Sequence, residues 1–243
     1  MSRPILAIIP ARYGSTRFPG KPLVMIDGKP MIQWVFEAAS ACETITCVQV
    51  ATDDERIAEA VTGFGGDVQM TSPDHPTGTD RVAAVAQRFP QYEVVVNIQG
   101  DQPCVTPEVL NRLVAPFCEA GPPVMSTVAC GLEPERIADH HTVKVICDQS
   151  MNAIYFSRAA IPFVREPTDD LPVYQHLGLY AFAAPFLQKF AGLPVGPLEK
   201  CESLEQLRAL ENGHAIRVSL VEHVIHEVNV PEDLERLPRG VLQ

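Results

Sequence analysis

The chain reads as an α/β protein built on a mostly parallel sheet, and three observations carry that reading. Residues 5–9 (ILAII) and 94–98 (VVVNI) are near-continuous apolar runs, the mark of strands covered on both faces. Between them, segments of helical periodicity alternate with further short apolar runs, which implies parallel pairing through right-handed crossovers. The 243 residues contain no repeat, no low-complexity tract and no linker long enough to separate two folding units. One domain spanning 1–243 is therefore expected.

Taken in order, the first strand covers 5–9 and ends at Pro10. A second strand at 46–51 ends at Thr52-Asp53-Asp54, where Asp53 or Asp54 can cap the helix that begins at Glu55. That helix runs through Val61 and closes at Gly63 and Gly65-Gly66. A short strand at 67–71, a helix at 79–89 marked by Val82, Val85 and Ala86, the strand at 94–98 and a helix at 107–117 follow. The second half is less regular. Strands are expected at 124–129 and 142–147, and residues 154–162 and 174–182 flank a projecting segment holding Glu166, Pro167, Thr168, Asp169 and Asp170. The region 150–190 is thus an excursion from the domain. A helix at 198–210 closed by Asn212-Gly213, a strand at 215–221 and a helix at 231–237 with Pro231 in its first turn complete the chain.

Composition excludes several classes. A formal net charge of −11 argues against an extended nucleic-acid surface, which needs a basic stripe. No stretch approaches the ~18 apolar residues of a membrane span, and no charged-then-apolar leader opens the sequence. A cytoplasmic protein with neither nucleic-acid nor membrane partners is expected. The seven cysteines form no C-x-x-C pair and mostly lie in apolar runs, so they read as reduced, buried residues. His140-His141 and His223-x-x-His226 lack the spacing and carboxylate partners of a zinc site and read as surface histidines.

Against this acidic background, residues 10–22 (PARYGSTRFPGKP) place Arg12, Arg17 and Lys21 in one loop directly after the first strand. The end of a strand in an open α/β sheet is where ligands bind, and a cationic loop there suits a polyphosphate. A P-loop is a poor match. Five residues rather than four separate Gly14 from Gly20, and Pro22 stands where a Ser or Thr would hold magnesium. No G-x-G-x-x-G occurs either. Pro10, Pro19 and Pro22 restrict the loop before any ligand arrives, which lowers the cost of ordering it. Asp101 follows VVVNIQG and so lies just past a buried strand on the same rim. A carboxylate beside a bound triphosphate is a natural Mg2+ ligand. Gly100 permits close backbone approach, and Gln99 can hydrogen-bond substrate.

The stretch PARYGSTRFPGKPL closely resembles the signature of the CMP-Kdo synthetases, the 3-deoxy-manno-octulosonate cytidylyltransferases. The likeness continues through TGTDR at 77–81, NIQGDQP at 97–103, VKVICD at 143–148, YFSRAAIP at 155–162, HLGLYAF at 176–182, LEKCESLEQLRALENG at 198–213 and PEDLER at 231–236. The resemblance implies a Rossmann-like, glycosyltransferase-A-type nucleotidyltransferase that forms a homodimer through the projecting segment. Its activity would be transfer of CMP from CTP to the anomeric hydroxyl of Kdo, with release of pyrophosphate, for lipopolysaccharide biosynthesis. Lys21, Asp101, Arg12 and Arg17 would be catalytic. Pro10, Ala11, Arg12, Ser15, Arg17, Lys21, Ser72, Thr77, Gly78, Thr79 and Arg81 would bind the nucleotide, although nothing local says cytosine rather than uracil.

Gln99 is counted with the substrate-binding residues; by the same likeness Arg158 would line the sugar pocket or the dimer contact, and His176, Tyr180, Glu202 and Gln206 would contact the sugar. From the residues alone, His176 and Tyr180 share a strand face and could be a purely structural pair. Glu202 and Gln206 lie at i, i+4 on the expected helix, and could equally form a solvated face. In the family a second aspartate, in a V-D-T-P-E-D-L block, completes the metal site. Here that block reads Val228-Asn229-Val230-Pro231-Glu232-Asp233-Leu234. Asn229 offers a neutral oxygen, so it is expected to remain a weaker metal ligand or to orient a metal-bound water. Related acid sugars, such as 8-amino-Kdo or a sialic acid, are alternatives the residues do not separate, and a nucleotide-binding module without turnover is the rival of another class.

Overall fold

The computed structural model describes residues 3–14, 18–166, 172–222 and 224–238. The chain divides into two units, Met1–Asn111 with Ile225–Gln243, and Arg112–Val224.

In the first unit, β1 (Ile5–Ala11) is buried along almost its whole length. It pairs in parallel with β4 (Cys47–Thr52) on one side and β6 (Val94–Asn97) on the other. β5 (Val68–Met70) adds in parallel to β4, so the order is β6-β1-β4-β5. The continuous apolar runs at 5–9 and 94–98 are thus central strands, as their composition dictates. Helices α1 (Met31–Ser40), α2 (Glu55–Gly63) and α3 (Gly78–Ala86) lie along the chain between these strands. Of the two capping candidates, Asp54 is the one used, its carboxylate accepting from the Arg56 N–H at 3.0 Å. α3 starts at a capping box. Thr77 Oγ1 accepts from Asp80 N at 3.1 Å, and Asp80 Oδ2 accepts from Thr77 N at 3.0 Å.

A small hairpin, β2 (Met25–Ile26) with β3 (Lys29–Pro30), precedes α1. It turns at Asp27-Gly28, whose φ values of 47° and 83° are the paired positive angles of a type I′ turn. Neither the hairpin nor α1 is among the elements expected from sequence. Together they build a satellite core in which Ile26, Met31, Cys104 and Val228 are buried, with Phe18, Val24, Trp34, Leu234 and Leu237 packed against them. This core ties the C-terminal segment to the turn that follows β6.

The second unit holds a mixed sheet. β7 (Met125–Gly131) pairs in parallel with β11 (Arg217–Val221) and antiparallel with the long β10 (Val173–Ala183). β8 (Lys144–Cys147) pairs antiparallel with β10 and with β9 (Ala153–Ser157). The register of β10 shifts between His176 and Tyr180, where Gly178 takes φ 67°. α4 (Pro107–Val114) crosses the boundary between the units, and α5 (Ala184–Ala191) follows β10.

Two expected helices differ in the structure. The single helix at 198–210 is two, α6 (Pro197–Glu202) and α7 (Leu207–Glu211). The break is at Ser203, which takes the left-handed conformation at φ 53°, so Glu202 and Gln206 do not share one helix face. The segment at 231–237 forms a 3-10 helix, Pro231–Arg236, rather than an α-helix, with Asp233 accepting from Val230 N. Of the excursion at 150–190, β9 and most of β10 belong to the sheet; residues 167–171 lie outside the described residues.

Because Ser203 is exposed and pays for a left-handed backbone that glycine adopts freely, Ser203→Gly should stabilise the protein by up to about 1 kcal/mol. A raised urea unfolding midpoint is the check.

Candidate nucleotide and sugar sites

In the first unit the parallel register sends β1, β4 and β6 out on the same rim. Ala11 pairs with Thr52, and Ile8 with Asn97. Arg12 leaves β1, Asp53 leaves β4, and the turn carrying Gln99, Gly100 and Asp101 leaves β6. The approach is close: a Cβ on Gly100 would lie 3.1 Å from Pro10 O, which explains the glycine. Pro10 also touches the start of α3, since a Cβ on Gly78 would meet its ring at 3.4 Å. The fold therefore gathers Pro10, Ala11, Gly78, Thr79 and the Asp101 turn.

The cationic loop is closed at its neck, where Gly20 N donates to Tyr13 O at 2.9 Å. Gly20 has φ 71° and sits under the Tyr13 ring. The Tyr13 ring also carries the Arg56 guanidinium, 3.3 Å from its centroid. Ser15 and Arg17 lie outside the described residues. Arg12 donates to the carbonyl of His75, and Lys21 Nζ lies 2.6 Å from Asp101 Oδ2. Both partners of this last pair are largely sheltered, at 15% and 27% side-chain exposure.

Arg81 is fully buried. Its guanidinium is 3.1 Å from Asp53 Oδ2 and donates to Thr71 Oγ1. Burial lowers its pKa, Asp53 opposes that, and the nearby Arg12 charge adds to it. Arg81 thereby pins the ends of β4 and β5 beside the expected base site. Thr79 accepts from Asn97 Nδ2 at 3.2 Å, and Thr77 is engaged in the capping box. Ser72 is exposed and holds a turn with Asp74.

On the other side of the Asp101 turn stands a carboxylate absent from the sequence-based candidates. Glu227 accepts from Gln102 Nε2 at 2.9 Å and from Asn229 Nδ2 at 3.2 Å. Its surface is open to solvent, yet the protein crowded round it and the Asp101 charge raise its carboxyl pKa, against the pull of Lys21. Asn229 N donates to Asp233 Oδ2 at 2.8 Å, which anchors the start of the 3-10 helix. The signal in sequence was slight: an acid two residues from Asn229, flanking an apolar Val228. Among the described residues no three His, Cys, Asp or Glu side chains converge on one point. Two carboxylates and amide oxygens are hard donors, and a cationic Lys21 already rests on Asp101. That set suits a magnesium ion that takes its remaining ligands from phosphate and water.

The second unit holds the candidate sugar residues other than Gln99 in two clusters. In one, Glu202 accepts from Ser157 Oγ at 2.6 Å and from Arg158 N at 2.9 Å. Burial pushes the Glu202 carboxyl up, but hydrogen bonds from Ser157, Arg158 and Tyr155 outweigh it, leaving the group below its ordinary value. The Arg158 guanidinium donates to the carbonyls of Glu202 (3.0 Å) and His140 (3.3 Å), which orient it without cancelling its charge. Beneath it lies Lys144, fully buried, whose ammonium donates to three carbonyls, those of Asp139, Thr142 and Arg158, at 2.6–2.8 Å. Burial lowers its pKa. A lysine in VKVIC had no distinguishing sequence signal.

In the other cluster, His176 Nε2 is 3.0 Å from Thr127 Oγ1, its ring packs edge-on to Phe156 and stands 5.5 Å from that of Tyr180. Tyr180 donates to Gln206 Oε1 at 3.0 Å. His140, His141 and His226 are exposed, as expected, while His223 lies outside the described residues. The buried Cys42, Cys104 and Cys130 bear out the expected hydrophobe role, whereas Cys118 and Cys201 are exposed; all seven thiols are free.

A family model described as cytidylyltransferase matches residues 6–217. The chain belongs to the cytidylyltransferase family. This cytidylyltransferase is 54% identical over 231 residues to a 3-deoxy-manno-octulosonate cytidylyltransferase from Acaryochloris marina, covering 95% of the chain and 94% of that relative. It is 50% identical over 235 residues to an 8-amino-3,8-dideoxy-manno-octulosonate cytidylyltransferase from Shewanella piezotolerans, covering 95% of each. A solved structure of a CMP:2-keto-3-deoxy-manno-octonic acid synthetase complexed with CTP superposes with a TM-score of 0.92 at 38% identity, covering 96% of both chains. The expected α/β nucleotidyltransferase fold is thereby established. No described helix of the cytidylyltransferase is long and apolar enough to cross a membrane.

Burial depresses the His176 pKa from the ordinary 6.5 to about 3, so the folded protein keeps this ring neutral where the unfolded chain protonates it. Stability contributed by the neutral ring is complete above pH 6.5 and is lost as pH falls from 6.5 towards 3. Wild type should therefore destabilise on acidification more steeply than His176→Asn, by at most about 1.4 kcal/mol per pH unit. Urea unfolding at pH 7, 6 and 5 measures the difference.

Proposed function

We propose that this chain transfers CMP from CTP to the anomeric hydroxyl of Kdo, releasing pyrophosphate, as a magnesium-dependent enzyme of lipopolysaccharide biosynthesis. The observation that carries the reading is the Lys21–Asp101 contact beside Arg12 on the strand-end rim, in a chain 54% identical to a 3-deoxy-manno-octulosonate cytidylyltransferase. The first unit holds CTP. Pro10, Ala11, Ser72, Thr77, Gly78 and Thr79 frame the base, with Arg81 fixing the strand ends beneath it. Arg12, Ser15, Arg17 and Lys21 bind the triphosphate. In the second unit Arg158, His176, Tyr180, Glu202 and Gln206 serve the acid sugar; Arg158 supplies the cation for its carboxylate and Glu202 fixes Arg158.

In the chemical step the anomeric oxygen bonds to the α-phosphorus, the bond from that phosphorus to the bridging oxygen breaks, and pyrophosphate leaves with the electron pair. The hydroxyl proton passes to solvent. Lys21 exchanges Asp101 for phosphate oxygens as the triphosphate enters, and its charge then opposes the charge growing on the leaving group. Asp101, freed from Lys21, would hold Mg2+, with the Glu227 carboxylate beside it. When bound, that ion supplies charge to the phosphate oxygens and acidifies the attacking hydroxyl.

A second reading, transfer to 8-amino-Kdo, is favoured by the 50% identity to cytidylyltransferases named for that sugar. Pyrophosphate release assayed over four NTPs and a panel of Kdo, 8-amino-Kdo and a sialic acid tests both. Release with CTP and Kdo is expected, and sugar-independent binding without release would leave only a nucleotide-binding module. In the same assay Lys21→Ala should lower kcat/KM by about 10²–10³-fold with unchanged sugar binding.

The reading extends to a cytoplasmic location, which the free thiols support, and to a homodimer of single 1–243 domains joined through 150–190. Support for the dimer is Phe163, 90% exposed, followed by Val164 at 40% in the same segment. Phe163→Ser should shift the protein from dimer to monomer mass in light scattering.

A further inference from the structure

Residues 227–229 run beside the Asp101 turn within the first unit. Val228 is fully buried in the satellite core, and its N–H donates to Asp101 O at 2.9 Å. With Val228 committed inward, its neighbours turn to the opposite side of the chain. There their side chains meet, Asn229 Nδ2 donating to Glu227 Oε2 at 3.2 Å while Gln102 Nε2 holds Oε1 at 2.9 Å. Asn229 offers only a carboxamide, and the carboxylate on this side of the chain belongs to Glu227, two residues upstream. Asn229 is spent on positioning it.

We propose that Glu227, and not Asn229, is the second carboxylate that draws a divalent cation to Asp101, with Asn229 and Gln102 fixing its oxygens. The proposal rests on the nucleotidyl-transfer reading above. Asn229 brings no charge to the site, and Glu227 brings one full negative charge beside Asp101. Magnesium commonly uses one or two carboxylates and takes its other ligands from phosphate and water, so this pair is sufficient. A carboxylate in that place has a second consequence. Without the cation it repels the triphosphate, so it makes nucleotide binding depend on the ion.

The test is calorimetric titration of CTP into the full-length protein, in EDTA and in saturating Mg2+, for wild type, Glu227→Gln and Glu227→Gln/Asn229→Asp. Glu227→Gln should bind CTP as tightly as wild type or more tightly in EDTA, yet lose about tenfold or more of the gain that Mg2+ brings. The double variant, with its carboxylate returned at 229, should recover most of that gain. A Glu227→Gln protein that keeps the wild-type gain overturns the proposal, as does a loss that the double variant does not recover. Pyrophosphate release by the wild type, measured separately, decides the transfer reading whatever Glu227 does.

Discussion

Everything at the strand-end rim of the first unit follows from the parallel pairing of β1 with β4 and β6. Parallel strands all deliver their C-terminal ends to one rim, so residues distant in sequence arrive together: Arg12 from β1, Asp53 from β4, Asp101 from the turn after β6. The strands are central because their apolar side chains on both faces can be satisfied nowhere else. At the rim the backbones come close enough that a Cβ at position 100 would press against Pro10 O at 3.1 Å.

Charge at that rim is arranged for exchange. Taking Lys21 and Asp101 partly out of water costs free energy that their contact only partly returns, which makes such a pair a poor device for stability alone. It makes a good site for a ligand that brings both a polyanion and a cation, because each partner then gains a stronger counterpart. Arg81 and Asp53 do a different task. Buried and also bonded to Thr71, Arg81 locks the ends of β4 and β5 together.

The second unit shows the same economy with hydrogen bonds. Lys144 places three donors on three carbonyls, Glu202 holds Ser157 and Arg158, and Thr127 takes up the one ring nitrogen of His176 that faces it. Groups held this way lose little entropy when a ligand arrives. Arg158 is the clearest case, since carbonyls orient its guanidinium and leave its charge to be used.

Local signals were legible wherever one stretch of chain decides the outcome. The central strands, the capped helix at Glu55, the periodic helix at 79–89, the cationic loop and Asp101 were all visible, because apolar runs, helical period, caps and clustered charge act over a few residues. The resemblance carried the family. Other features were invisible because they depend on contacts between distant segments. The break at Ser203 splits a helical pattern that looks continuous, and the Asp27-Gly28 hairpin matters only through the core it builds. His176 looked like a sugar ligand or a strand partner, and its burial against Phe156 is a matter of packing. Sequence by itself determined the α/β class and one charged half of the site, since hydrophobic period and local charge are properties of neighbours in the chain. Only the tertiary structure decided that Glu227 stands beside Asp101 while Asn229 serves to hold it, because burial of Val228 sets which way its neighbours face.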